Sequence, residues 1–173
     1  MPATNESQAG EEHDLGSRLP SLGPHGEGWV AVQGVLLLVE GLCSWRGPRW
    51  PRHARPLRLL VAAALFTSGA ALFAGGSRRL GRQLTTFPRP VAEAELRHDG
   101  AYGLVRHPIY GGVVLIATAW ALVTSPLALL PAALTVPFFD LKRRREEAWL
   151  VAQHEGYEEY RGEVRHRFIP FVW

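Results

Sequence analysis

Residues 109–139 read IYGGVVLIATAWALVTSPLALLPAALTVPFF, 31 positions without one charged side chain. A bilayer crossing takes about 20 apolar residues, so this stretch belongs in lipid and accommodates two crossings only by turning back on itself. The turn is written at Ser125-Pro126, because proline donates no backbone hydrogen bond and disfavours helix in the residue before it. The spacing predicts a tight helical hairpin over 109–139, with arms of 16 and 13 residues. Thirteen residues at about 1.5 Å each fall near 20 Å, so the second helix has to continue past Asp140 or sit in a thinned bilayer.

Outward from the hairpin, Leu59 to Ser77 gives 19 more residues without a charge. This span contains Gly69, Ala70, Ala71, Gly75 and Gly76, small residues that let membrane helices approach closely. Gly28 to Trp45 is long enough for a first crossing, although Glu40 at that depth needs a partner or an inward face. Between these two spans, Arg46 to Arg58 holds five arginines and three prolines and reads as a short, stiff surface connection. Met1 to Glu27 is polar and acidic, with no basic region leading into an apolar one, and reads as a flexible tail rather than a signal peptide. The expected fold is therefore an all-α, polytopic membrane protein of about four spans. It divides into the tail (1–27), two spans (28–79) and a third region (80–173) containing the hairpin. A chain of 173 residues with one cysteine, Cys43, makes no internal disulfide and no multi-cysteine metal centre, so no metal is expected.

With four crossings, the amino-terminal tail, Arg78 to Pro108 and the carboxyl segment share one side and carry 14 Lys/Arg, against five in the Arg46 to Arg58 loop. The positive-inside rule makes that side cytoplasmic. Basic clusters flanking apolar spans meet anionic headgroups, so the bilayer is the expected partner and nucleic acid is not.

Two segments on that side are dense in ionisable and aromatic groups: LRHDGAYGLVRHPIYGG (Leu96 to Gly112) and the run from Lys142 to Tyr160. Pro108 suits the first turn of a helix, which leaves His107 at its start and Tyr110 one turn inward. Taken singly, the residues have simpler readings: His107 as a cap, Tyr110 as an interfacial aromatic, and Lys142 with Glu146 as a solvated i,i+4 pair. Leu141, Trp149, Leu150 and Val151 are spaced as one face of an amphipathic helix that Gly156 could end. Tyr157, Tyr160, Phe168, Phe171 and Trp173 could anchor the carboxyl end at the interface.

The order of the pieces matters more than any one of them. Leu96 to Gly112, an apolar hairpin, EExxL from Glu146 and YxxYxxxVxxRFIPF from Tyr157 to Phe171 together resemble the integral membrane methyltransferases that include isoprenylcysteine carboxyl methyltransferase and the phospholipid methyltransferases. The resemblance covers about half the chain, from Leu80 onward. It implies an S-adenosylmethionine site at the cytoplasmic end of the last two spans, and a lipidic or small apolar methyl acceptor. By position it implies that Ala94, Glu95, Leu96, Arg97, Tyr102, His107, Pro108, Ile109, Tyr110 and Glu146 bind the cofactor. His107 or Glu147 would take a proton from an amine or thiol, and Tyr102, Tyr110 and Trp149 would wall the adenine or the substrate entrance. Lys142 stands where the carboxyl methyltransferases contact substrate through arginine. An ammonium does not reproduce a bidentate guanidinium clamp, so the acceptor group stays open between carboxylate, amine and thiol. The alternative from another class is a non-catalytic membrane module, such as a transporter subunit or assembly factor, which would bind no cofactor.

Overall fold

The computed structural model describes residues 16–89 and 95–172, and these are all-helical, without strands. Five α-helices lie wholly within the described residues: α1 (Glu27–Arg46), α2 (Arg55–Leu80), α3 (Pro108–Thr124), α4 (Leu129–Gln153) and the short α5 (Tyr157–Glu163), with single 3₁₀ turns at Gly81–Gln83, Gly100–Gly103 and Pro126–Ala128. Among the described residues, two helices are long and apolar enough to cross a membrane: α1, and α2 together with its 3₁₀ extension, Arg55–Gln83. Only 17% of the apolar window of each is buried within the chain. Their outward faces present Val35, Leu38, Leu60 and Phe66 to the surroundings, an apolar surface too continuous for a water-exposed helix pair. Glu40 is the exception on α1. It is 3% exposed, turned away from that apolar face and into the bundle, which is how a helix can carry a carboxyl at that depth.

Small residues set the closest approach. An added Cβ on Gly69 of α2 would lie 2.9 Å from the Gly112 carbonyl oxygen, and one on Gly112 of α3 would lie 2.7 Å from the Gly69 oxygen, so the two backbones touch there. On the other side of α3, Ala117 and Ala121 pack on Ala128 and Ala132 near the α3–α4 connection. Further from the connection Val114 packs with Phe138 and Phe139, and Trp29 of α1 completes that cluster. The α3 helix stops at Thr124. Ser125 leaves helical geometry and its Oγ accepts from the Leu127 N–H at 3.2 Å, while Pro126 opens the 3₁₀ turn. As the length argument requires, α4 runs 13 residues beyond Asp140.

Three expectations change. The polar tail is not free over its second part: Leu19 packs on the cluster around Trp29, the Trp29 indole donates to Pro20 O at 3.2 Å, and Arg145 donates to Ser17 O at 3.1 Å. Residues 1–15 lie outside the described residues. The last long helix ends at Gln153, before Gly156, which instead begins α5. Finally, the buried face of α4 beyond the apolar stretch is not Leu141, Trp149, Leu150 and Val151 but Lys142, Arg143, Glu147 and Ala148, with Leu141 exposed. Charge periodicity was read as solvated because its partners lie far away in sequence.

Candidate functional site

The carboxyl segment crosses the start of α3 and fixes it. The Arg106 N–H donates to His166 O (3.0 Å) and the His107 N–H to Arg167 O (2.8 Å). Gly111 makes room for the crossing, since a Cβ there would sit 2.1 Å from Phe168 O. Phe168 is consequently a core residue packed edge-on against the His107 ring at 6.2 Å rather than an interfacial anchor; Phe171 is exposed and Trp173 lies outside the described residues.

His107 occupies the N-cap position of α3, as the Pro108 position predicts, but its side chain makes no capping hydrogen bond; its ring stacks parallel to Tyr110 at 5.4 Å. Tyr110 rests on Phe139 (4.9 Å) and its hydroxyl donates to Glu146 Oε2 at 2.5 Å. The imidazole lies between two carboxylates on adjacent positions of α4, with Nε2 2.9 Å from Glu147 Oε1 and Nδ1 3.9 Å from Glu146 Oε2. The first contact favours the tautomer that carries its proton on Nε2 and leaves the Nδ1 lone pair toward Glu146.

The two glutamates live in different surroundings. Glu147 is buried and receives Arg106 Nε (3.0 Å), Arg143 Nη1 (3.2 Å) and His107. Burial pushes its carboxyl up, but the hydrogen bond and charge of His107 and the charges of Arg106 and Arg143 outweigh that and hold it well below the usual carboxylate range. Arg106 also donates to Val164 O (2.8 Å) and Arg165 O (3.1 Å), and Arg143 to Asp140 Oδ1 (2.9 Å). This cluster ties α3, α4 and the carboxyl segment into one piece. Glu147 therefore lies behind His107, outside the cleft lining, and stays ionised at neutral pH. Glu146 goes the other way. Burial raises its carboxyl, and the Glu147 charge adds to this, against the opposing effects of His107, the Tyr110 hydroxyl and Lys142.

Lys142 does not pair with Glu146 on a solvated face. It is 1% exposed, its Nζ donates to Gln33 Oε1 of α1 at 2.8 Å and lies 5.0 Å from the Tyr110 ring centre, which places it behind that ring. Burial lowers its ammonium, with the Glu146 charge opposing. Trp149 is covered by the Arg145 guanidinium at 4.5 Å and does not wall the site.

In front of His107, Tyr110 and Glu146 opens a cleft of about 870 Å³, a figure that includes its open mouth. Of the residues expected at a cofactor site, Glu95, Leu96, Arg97, Tyr102, His107, Ile109, Tyr110 and Glu146 line it. Pro108 instead packs under Gly76, and Ala94 lies outside the described residues. The lining also includes Gln83, Phe87 and His154, to which the sequence assigned no role, and Tyr157 and Tyr160, which it read as interfacial anchors. The three-residue spacing of the two tyrosines, which puts both on one face of α5, was the available signal. Gln83 Oε1, Arg97 Nε and Tyr157 Oη are buried without a hydrogen-bond partner among the described residues, and all three belong to cleft-lining side chains. Buried polar atoms of this kind are uncommon and point to a polar ligand or ordered water.

Compared with known proteins, the chain is 28% identical over 166 residues to the Delta(14)-sterol reductase TM7SF2 of Mus musculus. The match takes in 86% of this chain and 40% of that protein, so the chain spans under half the length of this relative. No family model matches the chain, and no solved structure matches it. By its name the relative is an enzyme acting on a sterol. Together with two bilayer-length apolar helices, the similarity supports membrane association of the chain.

Proposed function

We propose that the chain is a multi-pass membrane enzyme that holds S-adenosylmethionine in this cleft and transfers its methyl group to a lipidic or small apolar acceptor. In this reading α1 to α4 are four crossings, α3 and α4 form the hairpin, and the arginine-rich cleft end faces the cytoplasm. The observation that carries the proposal is the meeting of His107, Tyr110 and Glu146 at a cleft with three buried polar atoms left over. Those atoms suit a zwitterion. The Arg97 Nε is a donor for a carboxylate, Glu146 and Gln83 Oε1 are acceptors for an ammonium or ribose hydroxyls, and Tyr102, Phe87 and Tyr160 offer aromatic surface for a purine.

When bound, the cofactor supplies an electrophilic methyl on a sulfonium sulfur. Positive charge disperses as the methyl moves, so a carboxylate beside the sulfonium favours the ground state at least as much as the transition state, and Glu146 serves binding rather than rate. Rate comes from alignment and exclusion of water. His107 is placed to accept the proton of an amine or thiol at Nδ1, while Glu147 stabilises the imidazolium through Nε2. A carboxylate acceptor would need no such base. The test is radiolabelled methyl transfer in nanodiscs to prenylcysteine, phosphatidylethanolamine and a small alkyl thiol, with His107→Ala as control. Label in at least one apolar acceptor, lost in the variant, is expected. Label confined to soluble polar acceptors would refute the apolar substrate, and no label would refute the transfer.

The similarity to a sterol reductase favours a second reading, reduction of an apolar double bond by a nicotinamide dinucleotide. A dinucleotide brings a pyrophosphate that calls for several cationic donors, and the described lining has two arginines, of which Arg106 is taken up by Glu147 and two carbonyls. The lining therefore suits the smaller zwitterion better.

A further inference from the structure

The end of the bundle away from the cleft carries a second groove. From residue 41 to residue 92 the sequence has no Asp or Glu, and the α1–α2 connection presents Arg46, Arg49, Arg52, Arg55 and Arg58. Two bonds hold this connection against the end of α3: the Trp50 indole donates to Ala121 O (2.9 Å) and Arg58 Nη1 to Leu122 O (2.7 Å). The Arg58 guanidinium lies 5.2 Å from the Trp50 ring centre. They frame a groove of about 690 Å³ with its mouth, walled by Leu57, Val61 and Leu122 and rimmed by Trp50, His53 and Arg58.

Its charge and its shape point the same way. Arg58 Nε has no partner among the described residues, and the start of α2 has no side-chain cap, so a guanidinium and the positive end of a long helix meet at the rim without an anion. The wall below is apolar and continuous with the outward face of α2, where Leu57 and Leu60 are exposed. From Leu57 to Leu80 at the cleft, α2 runs for 23 residues, about 35 Å, so groove and cleft stand about one bilayer apart.

We propose that this groove seats an anionic phospholipid, with its phosphate on Arg58 and the start of α2 and one acyl chain along Leu57, Val61 and Leu122. A zwitterionic headgroup brings its own cation to a rim that offers the Arg58 guanidinium and no acid, and a free phosphate has no use for the apolar wall. The proposal rests on the membrane reading and is independent of the cofactor.

Native mass spectrometry of the detergent-solubilised full chain tests it, with phosphatidylglycerol against phosphatidylcholine of the same acyl chains and inorganic phosphate as competitor. Retention of one phosphatidylglycerol is expected, preferred by about fivefold or more, the scale of one arginine at an anionic lipid surface. Arg58→Gln should erase the preference. Val61→Trp, which fills the groove without removing the Arg58 charge, should abolish retention while leaving the unfolding midpoint in detergent unchanged. Equal retention of both lipids, retention unaffected by Val61→Trp, or displacement by millimolar phosphate would overturn the proposal. Release of the chain from membranes by carbonate would instead fail the membrane reading, and this site with it.

Discussion

The two ends of the bundle handle positive charge in opposite ways. At the cleft end Arg106 and Arg143 are buried and share Glu147, and Arg144 is paired with Asp140. At the far end five arginines stand in a stretch without an acid. Buried, paired charges define geometry, because each loses its solvent and is stable only in the arrangement that returns its hydrogen bonds. Apart from Arg58, which donates to Leu122 O, the arginines of the far end are exposed charges of one sign and are available to the surroundings. The cleft end is therefore where side-chain positions are specified, and the far end is where cations face the surroundings.

The sharpest way to break this contrast is to remove the shared acid. Glu147→Ala leaves Arg106 and Arg143 buried without their carboxylate and is expected to cost about 3 to 5 kcal/mol, read as a lowered unfolding midpoint in detergent. Gly111→Ala should follow, at about 1 to 3 kcal/mol, since its methyl group meets the Phe168 carbonyl and displaces the segment that holds His107. Glu146→Gln should behave differently from Glu147→Ala despite being its neighbour. The raised carboxyl of Glu146 is a folded-state cost at neutral pH, so neutralising it should leave stability unchanged or higher while cofactor affinity falls. Arg52→Gln in the far loop should change stability by less than about 0.5 kcal/mol.

Acid sharpens the same comparison without a mutation. Glu147, with its carboxyl lowered, stabilises the fold above the ordinary carboxylate value of about 4.3, and that contribution is lost only as pH falls through the lower folded value. Glu146, with its carboxyl raised, takes up its proton at a higher pH than an ordinary glutamate. Cofactor affinity should thus weaken on acidification while the near-ultraviolet circular dichroism of the folded chain is intact. Loss of both together would show that the two acids do not have separate roles.

Much of this was legible from local chemistry. Ser125-Pro126 ends α3, Pro108 starts it with His107 at the cap, and the second arm is too short to stop at Asp140. Glu146 could be placed near His107 because the chain turns between them. The roles of Glu147 and Lys142 could not be read, since their partners sit far off in sequence: Arg106 is 41 residues from Glu147, and Gln33 is 109 from Lys142. An apolar periodicity announces a buried face, whereas a run such as KRRREE reads as solvated unless its distant counter-charges are known. The crossing of the carboxyl segment over Gly111 was hidden for the same reason, because a glycine shows that space is needed but not what fills it.

The central claim is that the cleft around Glu146 holds S-adenosylmethionine, and titration calorimetry of the detergent-purified chain tests it most directly. The wild-type chain should bind S-adenosylmethionine and S-adenosylhomocysteine at one site. His107→Ala and Glu146→Gln should each weaken binding of S-adenosylmethionine by about 1 to 3 kcal/mol in chains whose unfolding midpoint is retained. Heat released only with a reduced nicotinamide dinucleotide, or equal affinity in the folded variants, would contradict the assignment.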